Sequence, residues 1–275
     1  MPFQAIFNQL LTYEVTIYSS HMSKYTNTLF MGKVLLRYKS VKSTNLSAQS
    51  LLAAEKPPEG TVLMAEEQTA GRGQRGNSWV SPAGSNLLSS FILYPKQLSP
   101  KQQFLLNMMT SLAMMDLLED LNIHNASIKW PNDVYIGKKK VAGILIQNNI
   151  TNHTIQSAIV GIGLNVNQTQ FDPKLPNPTS LAQELGSKLS LEATLEKLAY
   201  FLEKRYLQLK SKSSIAKLSN IYTEHMYRLG KVASYEIDDK PQAGIIEGID
   251  ESGKLIVRLE ETTRVFDLQE IRFLQ

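Results

Sequence analysis

Cysteine is absent from all 275 residues, which excludes disulfides, thiolate nucleophiles and zinc–thiolate centres. Histidine is almost as scarce. His21, His124, His153 and His225 show no ligand spacing with one another, so no protein-held transition metal is expected. No apolar run approaches the ~18 residues of a membrane span, and Met1 to Ser23 lack the charged stretch and apolar core of a secretory signal. A soluble, cytoplasmic protein is therefore expected, without membrane contact. Charge is modest too: charged residues make up 20%, the net charge is +4, and no long basic run occurs. Such a balance suits anions such as nucleotides, or an acidic partner. With 43% hydrophobic residues, the chain can build one large core and a small one.

Residues 1–27 carry aromatics without a clean period and read as an extension, too short for an independent DNA-binding domain. Leu29 to Tyr38 reads as a strand. Ser43-Thr44-Asn45 is a cap-like run before an apolar helix, Leu46 to Ala54. Strands are expected at Thr61–Glu66, Asn86–Tyr94, Ser127–Trp130, Val134–Ile136, Lys140–Gln147 and Ile155–Gly163. Ser99-Pro100-Lys101-Gln102 fits a capping box ahead of a helix that carries Phe104, Met108, Leu112 and Met115 on one face. Beyond Pro178 the pattern turns helical, and from Leu229 it breaks into short strands and turns. The expected fold class is α+β: a mixed sheet with helices over 28–228, then a small all-β barrel over 229–275.

Four segments carry chemistry. Gly71-Arg72-Gly73-Gln74-Arg75-Gly76 matches G-x-G-x-x-G, but Asn77 to Pro82 is not helical and no acidic residue follows at the ribose-binding distance, so a dinucleotide fold is not expected. Two arginines among three glycines instead suit a loop that folds over a carboxylate or phosphate. Lys129-Trp130-Pro131-Asn132-Asp133 reads as a turn between strands, and Lys140 opens the apolar strand Val141-Ala142-Gly143-Ile144-Leu145. A glycine inside a strand, as at Gly143, marks close approach of a ligand or a bulge. Gly161-Ile162-Gly163-Leu164-Asn165 repeats the device.

Ser43-Thr44-Asn45, Gln68, the loop from Gly71 to Trp79, Lys129 to Asp133, Lys140 to Leu145 and Gly161 to Asn165 occur in that order, and together they resemble the biotin–protein ligases over roughly residues 30–275. The resemblance implies a catalytic domain like the class II aminoacyl-tRNA synthetases and biotin ligases, followed by an SH3-like β-barrel. It implies activation of biotin with ATP to biotinyl-5′-AMP, and transfer to a lysine of a biotin carboxyl carrier domain. ATP with Mg2+ and biotin would be substrates, with no protein-ligated metal. Ser43, Thr44, Asn45, Gln68, Gly71, Arg72, Lys140 and Gly143 would bind biotin. Lys140, Arg72, Asp133 and Lys129 would serve the reacting carboxylate and phosphates. Arg75, Gln74, Trp79, Asn132 and Asn165 would lie on the adenylate side, with Trp79 by the adenine. Gln74 departs from the family's arginine and brings no charge, leaving the phosphate to Arg75 or Arg72. The chain would act as a monomer or homodimer and would not bind DNA. A lipoate or octanoate ligase is the nearest alternative, but its Arg-Arg-x-x-Gly-Gly-Gly loop is missing. The other alternative is a biotin-binding regulator without catalysis.

Overall fold

The computed structural model describes residues 27–274 and a strand at Tyr13–Ile17; for that strand, and for Arg75, only the backbone is described. The rest of the expected extension lies outside the described residues.

An eight-stranded sheet comprises β1 (Tyr13–Ile17), β2 (Val34–Val41), β3 (Val62–Gln68), β4 (Leu87–Leu93), β5 (Ala126–Lys129), β6 (Asp133–Ile136), β7 (Lys139–Thr151) and β8 (Thr154–Leu164). Their spatial order is β1-β2-β3-β4-β8-β7-β6-β5. Among the described strands of this sheet only β2 and β3 run parallel. A parallel neighbour needs a crossover, and helix α1 (Thr44–Ala54) supplies it.

Strand β4 is buried at every position because both faces of the sheet are covered. Its Leu87, Phe91 and Leu93 join the main core, whereas Ile92 joins Leu36, Leu63, Ile159 and Ala48 beneath α1. On the main face lie α2 (Phe104–Asp120), α3 (Leu181–Leu185), α4 (Leu191–Gln208) and α5 (Lys212–Glu224). Helix α2 is apolar nearly all round, beyond the single face expected, because it sits between the sheet and helices α4 and α5. The capping box at Ser99 forms, on a 3-10 turn just ahead of α2.

Strand β2 begins at Val34, later than expected. The amides of Leu29, Phe30 and Met31 donate to the buried Glu203 carboxylate of α4 at 2.7, 2.8 and 3.0 Å. That anchorage holds the segment as a docked loop, out of the ladder.

The C-terminal strands are β9 (Val232–Ile237), β10 (Lys240–Ile249), β11 (Leu255–Arg258), β12 (Thr263–Phe266) and β13 (Ile271–Phe273). They form an antiparallel sheet in the order β12-β11-β10-β9-β13. Among the described residues no ladder joins β12 to β13, so the expected barrel is an open five-stranded sheet in its hydrogen bonding. Its buried Tyr235, Ile246, Val257 and Phe266 continue the main core, and Trp130 Nε1 donates to Gly253 O across the junction at 2.8 Å. No described helix is long and apolar enough to cross a membrane.

Candidate functional site

On the α1 side of the sheet, β7 and β8 place Gly143 opposite Gly163 and Leu145 opposite Gly161. A Cβ on Gly163 would lie 2.5 Å from the Trp79 ring, and one on Gly161 would lie 2.2 Å from Asn45 Oδ1. The absent side chains therefore leave a floor on which an indole and a carboxamide rest. Around this floor is a cavity of about 270 Å3, walled by α1, the 72–79 loop, the Lys129–Asp133 turn, β7, β8 and β13.

One end of the cavity is neutral. Ser43 occupies the N-cap position of α1 in extended conformation, yet its hydroxyl makes no capping bond. The Thr44 amide donates to Gln68 Oε1 at 2.8 Å. Thr44 Oγ1 lies 3.1 Å from that same oxygen and 2.7 Å from Ser90 Oγ. Ser90 Oγ is also 2.7 Å from Asn45 Oδ1, while Asn45 Nδ2 donates to Leu145 O and Gln147 Oε1 at 3.2 and 3.0 Å. Within a run that resembled a helix cap in sequence, Thr44 and Asn45 thus spend their side chains on a buried polar network. Such a network is rigid only when its members are satisfied.

The other end is charged. Residues Lys129 and Asp133 pair across the β5–β6 turn, and Lys140 Nζ reaches Asp133 Oδ1 at 2.6 Å with about a third of its side chain exposed. A bulge makes this contact possible. Positions 140 and 143 differ by an odd number and would normally face opposite sides of a strand. Between Val134 and Tyr135 the β6–β7 register shifts, so Lys140 comes round to the Gly143 side, its Nζ 3.4 Å from where a Gly143 Cβ would sit. Main-chain bonds from Lys140 N to Asn177 O and from Thr179 N to Lys140 O brace it.

Lys129 Nζ donates to Tyr135 Oη at 3.1 Å and lies 5.1 and 5.2 Å from the Tyr135 and Phe273 ring centres. Burial lowers its pKa; the Asp133 charge opposes this, and Lys140 and Arg228 add to it. Arg72 is exposed at the rim. Its loop is a compact hairpin: Arg72 bridges to Ser78, Gly73 N donates to Asn77 O, and Trp79 N donates to Gly71 O.

The cavity gathers Ser43, Thr44, Asn45, Gln68, Arg72, Gln74, Trp79, Lys129, Asn132, Asp133, Lys140 and Gly143. Gly71 and Asn165 do not line it. Gly71 is buried behind the loop, against the Trp79 carbonyl. Asn165 is buried and donates through Nδ2 to Thr179 O at 2.9 Å, which steadies the segment bracing Lys140. The Asn132 side chain is likewise committed, donating to Ile144 O at 2.6 Å. Trp79 lies over the glycine floor, with Lys140 Nζ 5.6 Å from its ring centre and its own Nε1 buried without a partner. The Arg75 side chain lies outside the description.

Sequence reasoning missed Ser90, Arg272 and Phe273. Nothing near Ser90 in the chain marks it as polar machinery, and Arg272 and Phe273 come from the C-terminal sheet. Asp133 is the only carboxylate among the described lining residues, and no described cluster of three or more His, Asp or Glu could hold a metal ion.

The biotin/lipoate A/B protein ligase family matches residues 38–165. The bifunctional ligase/repressor BirA of Bacillus subtilis is 35% identical over 185 residues, a match that covers 65% of this chain but only 55% of the relative. The biotin–[acetyl-CoA-carboxylase] ligase of Paracoccus denitrificans is 32% identical, and its match covers 84% of this chain and 98% of the relative. Among solved structures, the Aquifex aeolicus biotin protein ligase in complex with biotin and ATP superposes with a TM-score of 0.73 at 28% identity, covering 87% of this chain and 99% of that one.

Proposed function

The chain belongs to the biotin protein ligases of the biotin/lipoate A/B protein ligase family, and from that premise we propose that it joins biotin to ATP as biotinyl-5′-AMP, then passes the biotin to a lysine of a biotin carboxyl carrier domain. The observation that carries this reading is the polarity of one cavity. Hydroxyl and amide groups gather at one end, Lys140 and Lys129 gather about Asp133 at the other, a glycine floor lies between them, and Arg72 and Arg272 also line the cavity.

Biotin's ureido ring belongs at the neutral end, where Ser43, Thr44 and Gln68 supply hydrogen bonds. Its alkyl chain passes the Trp79 indole that covers Gly143 and Gly163, and its carboxylate meets Lys140. The carboxylate must attack the α-phosphorus of ATP while both partners are anionic, and the α–β P–O bond breaks as pyrophosphate leaves. Repulsion between them is severe in a dry site, and fixed cations aimed at the developing charge offset it. Lys140 is held by Asp133 until an anion competes for it, and Asp133 then keeps the ammonium aimed. Asp133 also stands where it can accept a proton from the attacking amine in the second step. That amine attacks the acyl carbon, the C–N bond forms, and AMP leaves with the electron pair of the broken C–O bond. No enzyme nucleophile takes part.

A single lining carboxylate suits a magnesium ion carried mainly by phosphate oxygens and water; bound there, the ion would neutralise phosphate charge. Arg72 and the hairpin that bears it would shield the mixed anhydride from water. Arg75 and Gln74 would face the nucleotide, as would Asn132 through its backbone. We further propose 28–228 as the catalytic unit, 229–275 as the appended one, and a cytoplasmic location.

Biotin-dependent exchange of labelled pyrophosphate into ATP, followed by labelling of a carrier domain, tests both steps. Exchange that is equally fast without biotin would defeat the proposal.

A further inference from the structure

The neutral end contains more acceptor oxygens than protons to share among them, and this excess has a directional consequence. Asn45 Nδ2 faces Leu145 O, a main-chain acceptor, and Gln147 Oε1. The carboxamide nitrogen must therefore stand on that side, which leaves Oδ1, a pure acceptor, facing Ser90. The amide cannot swing away, because Oδ1 is wedged over Gly161, where even a Cβ would approach within 2.2 Å. Ser90 is wholly buried, and its one proton is committed to Asn45 Oδ1 at 2.7 Å. Its contact with Thr44 Oγ1 is equally short at 2.7 Å. Two oxygens that close without a proton between them would repel, so the Thr44 proton fills that gap. The longer 3.1 Å contact to Gln68 Oε1 then carries none, and that oxygen is satisfied by the Thr44 amide at 2.8 Å.

We infer that Ser90 is a specificity-determining positioning residue: by holding the Thr44 proton inside the protein, it leaves Thr44 Oγ1 able only to accept, so that this point of the cavity reads an N–H of the ligand's ring. The same logic orients Gln68. Its Oε1 is turned to Thr44, so its Nε2 is the end left to donate to a ring carbonyl. Acceptor and donor are thereby fixed side by side, the pattern that a cyclic urea complements and a ring oxygen violates. Ser90 itself does not line the cavity and acts through Thr44. This inference rests on biotin being the ligand.

Calorimetric titration of the full chain provides the test, with biotin and with two cyclic carbamate analogues in which one or the other ring N–H is replaced by oxygen. A site built to pair a polar group rejects the analogue that leaves it unpaired by large factors. One carbamate is expected to bind the unaltered protein about 100-fold more weakly than biotin. In Ser90→Ala the Thr44 proton loses its short partner and is left with only the longer 3.1 Å contact to Gln68 Oε1, from which a ring oxygen can draw it. Discrimination should then fall to about tenfold or less, while biotin binding weakens only severalfold. Ser90→Cys serves if the alanine variant fails to fold; sulfur is a weak acceptor, so discrimination should fall there too. A merely structural role would weaken both ligands alike, so an unchanged ratio with intact biotin binding overturns the inference alone. No heat from biotin with the unaltered protein would remove the functional reading and this inference together.

Discussion

The two ends of the cavity are built on opposite principles. At the neutral end no polar group is charged and nearly all are buried: Ser43, Thr44, Asn45 and Ser90 are each 3% exposed or less. At the charged end the groups are ionic and partly open, with Lys140 and Asp133 32% and 21% exposed and Arg272 68% exposed. A neutral ligand ring can be matched by fixed dipoles that never move, so that end can be packed like a core. An anionic pair that enters, reacts and leaves needs cations that can exchange one partner for another. A fully buried ion pair would resist such exchange, because breaking it strands a desolvated charge.

This contrast can be broken most sharply at Lys140. Lys140→Ala is expected to reduce biotin-dependent pyrophosphate exchange about 1,000-fold, in line with removing a fixed charge from a reacting centre. Near-normal exchange would show that the charged end does not carry the chemistry. Gln68→Ala should act differently, raising the KM for biotin about 10- to 100-fold with kcat little changed, since it removes binding common to ground and transition states. A fall in kcat alone would erase the division of labour.

Lys129 tests whether the charged end is tuned by burial. Burial favours the neutral amine, so its positive charge is lost at a lower pH than that of an ordinary lysine. The KM for ATP should rise severalfold as pH climbs through that lowered pKa, and the rise should vanish in Lys129→Met. The same shift sets a stability sign. The burial penalty on the ammonium is fully present below the lowered pKa and is relieved as pH rises toward the ordinary lysine value. Lys129→Met should therefore melt no lower than the parent at neutral pH; a large drop would mean that the ammonium stabilises the fold. The smallest effect is expected from Arg272→Ala. Its side chain is 68% exposed where it pairs with Glu236, and such surface pairs contribute little, so only a roughly threefold higher KM for ATP is expected. A hundredfold change would promote β13 to a principal part of the site.

Much of the site is legible in the chain because its groups are clustered locally. Lys129 and Asp133 flank one turn, and Ser43-Thr44-Asn45 opens one helix. What each residue does there is less legible. Asn45 and Asn165 look like ligand contacts, yet both spend their side chains on the protein: Asn45 on the floor of the neutral end, Asn165 on the segment behind Lys140. Ser90 sits in a fully buried strand, Leu87–Leu93, whose sequence reads as core. Its partners are 45 and 46 residues away, so no spacing rule finds them. A still longer separation hides Phe273, which meets Lys129 only because the C-terminal sheet folds back.

The sequence by itself determined which chemical groups this protein has, their order, the mixed α+β build and the family they belong to, because motifs and hydrophobic periods are properties of neighbouring residues. The tertiary structure alone decided where those groups point. Alternation along β7 would send Lys140 away from Gly143. A one-residue slip against β6 reverses that, and slips are settled by the pairing of strands across a sheet.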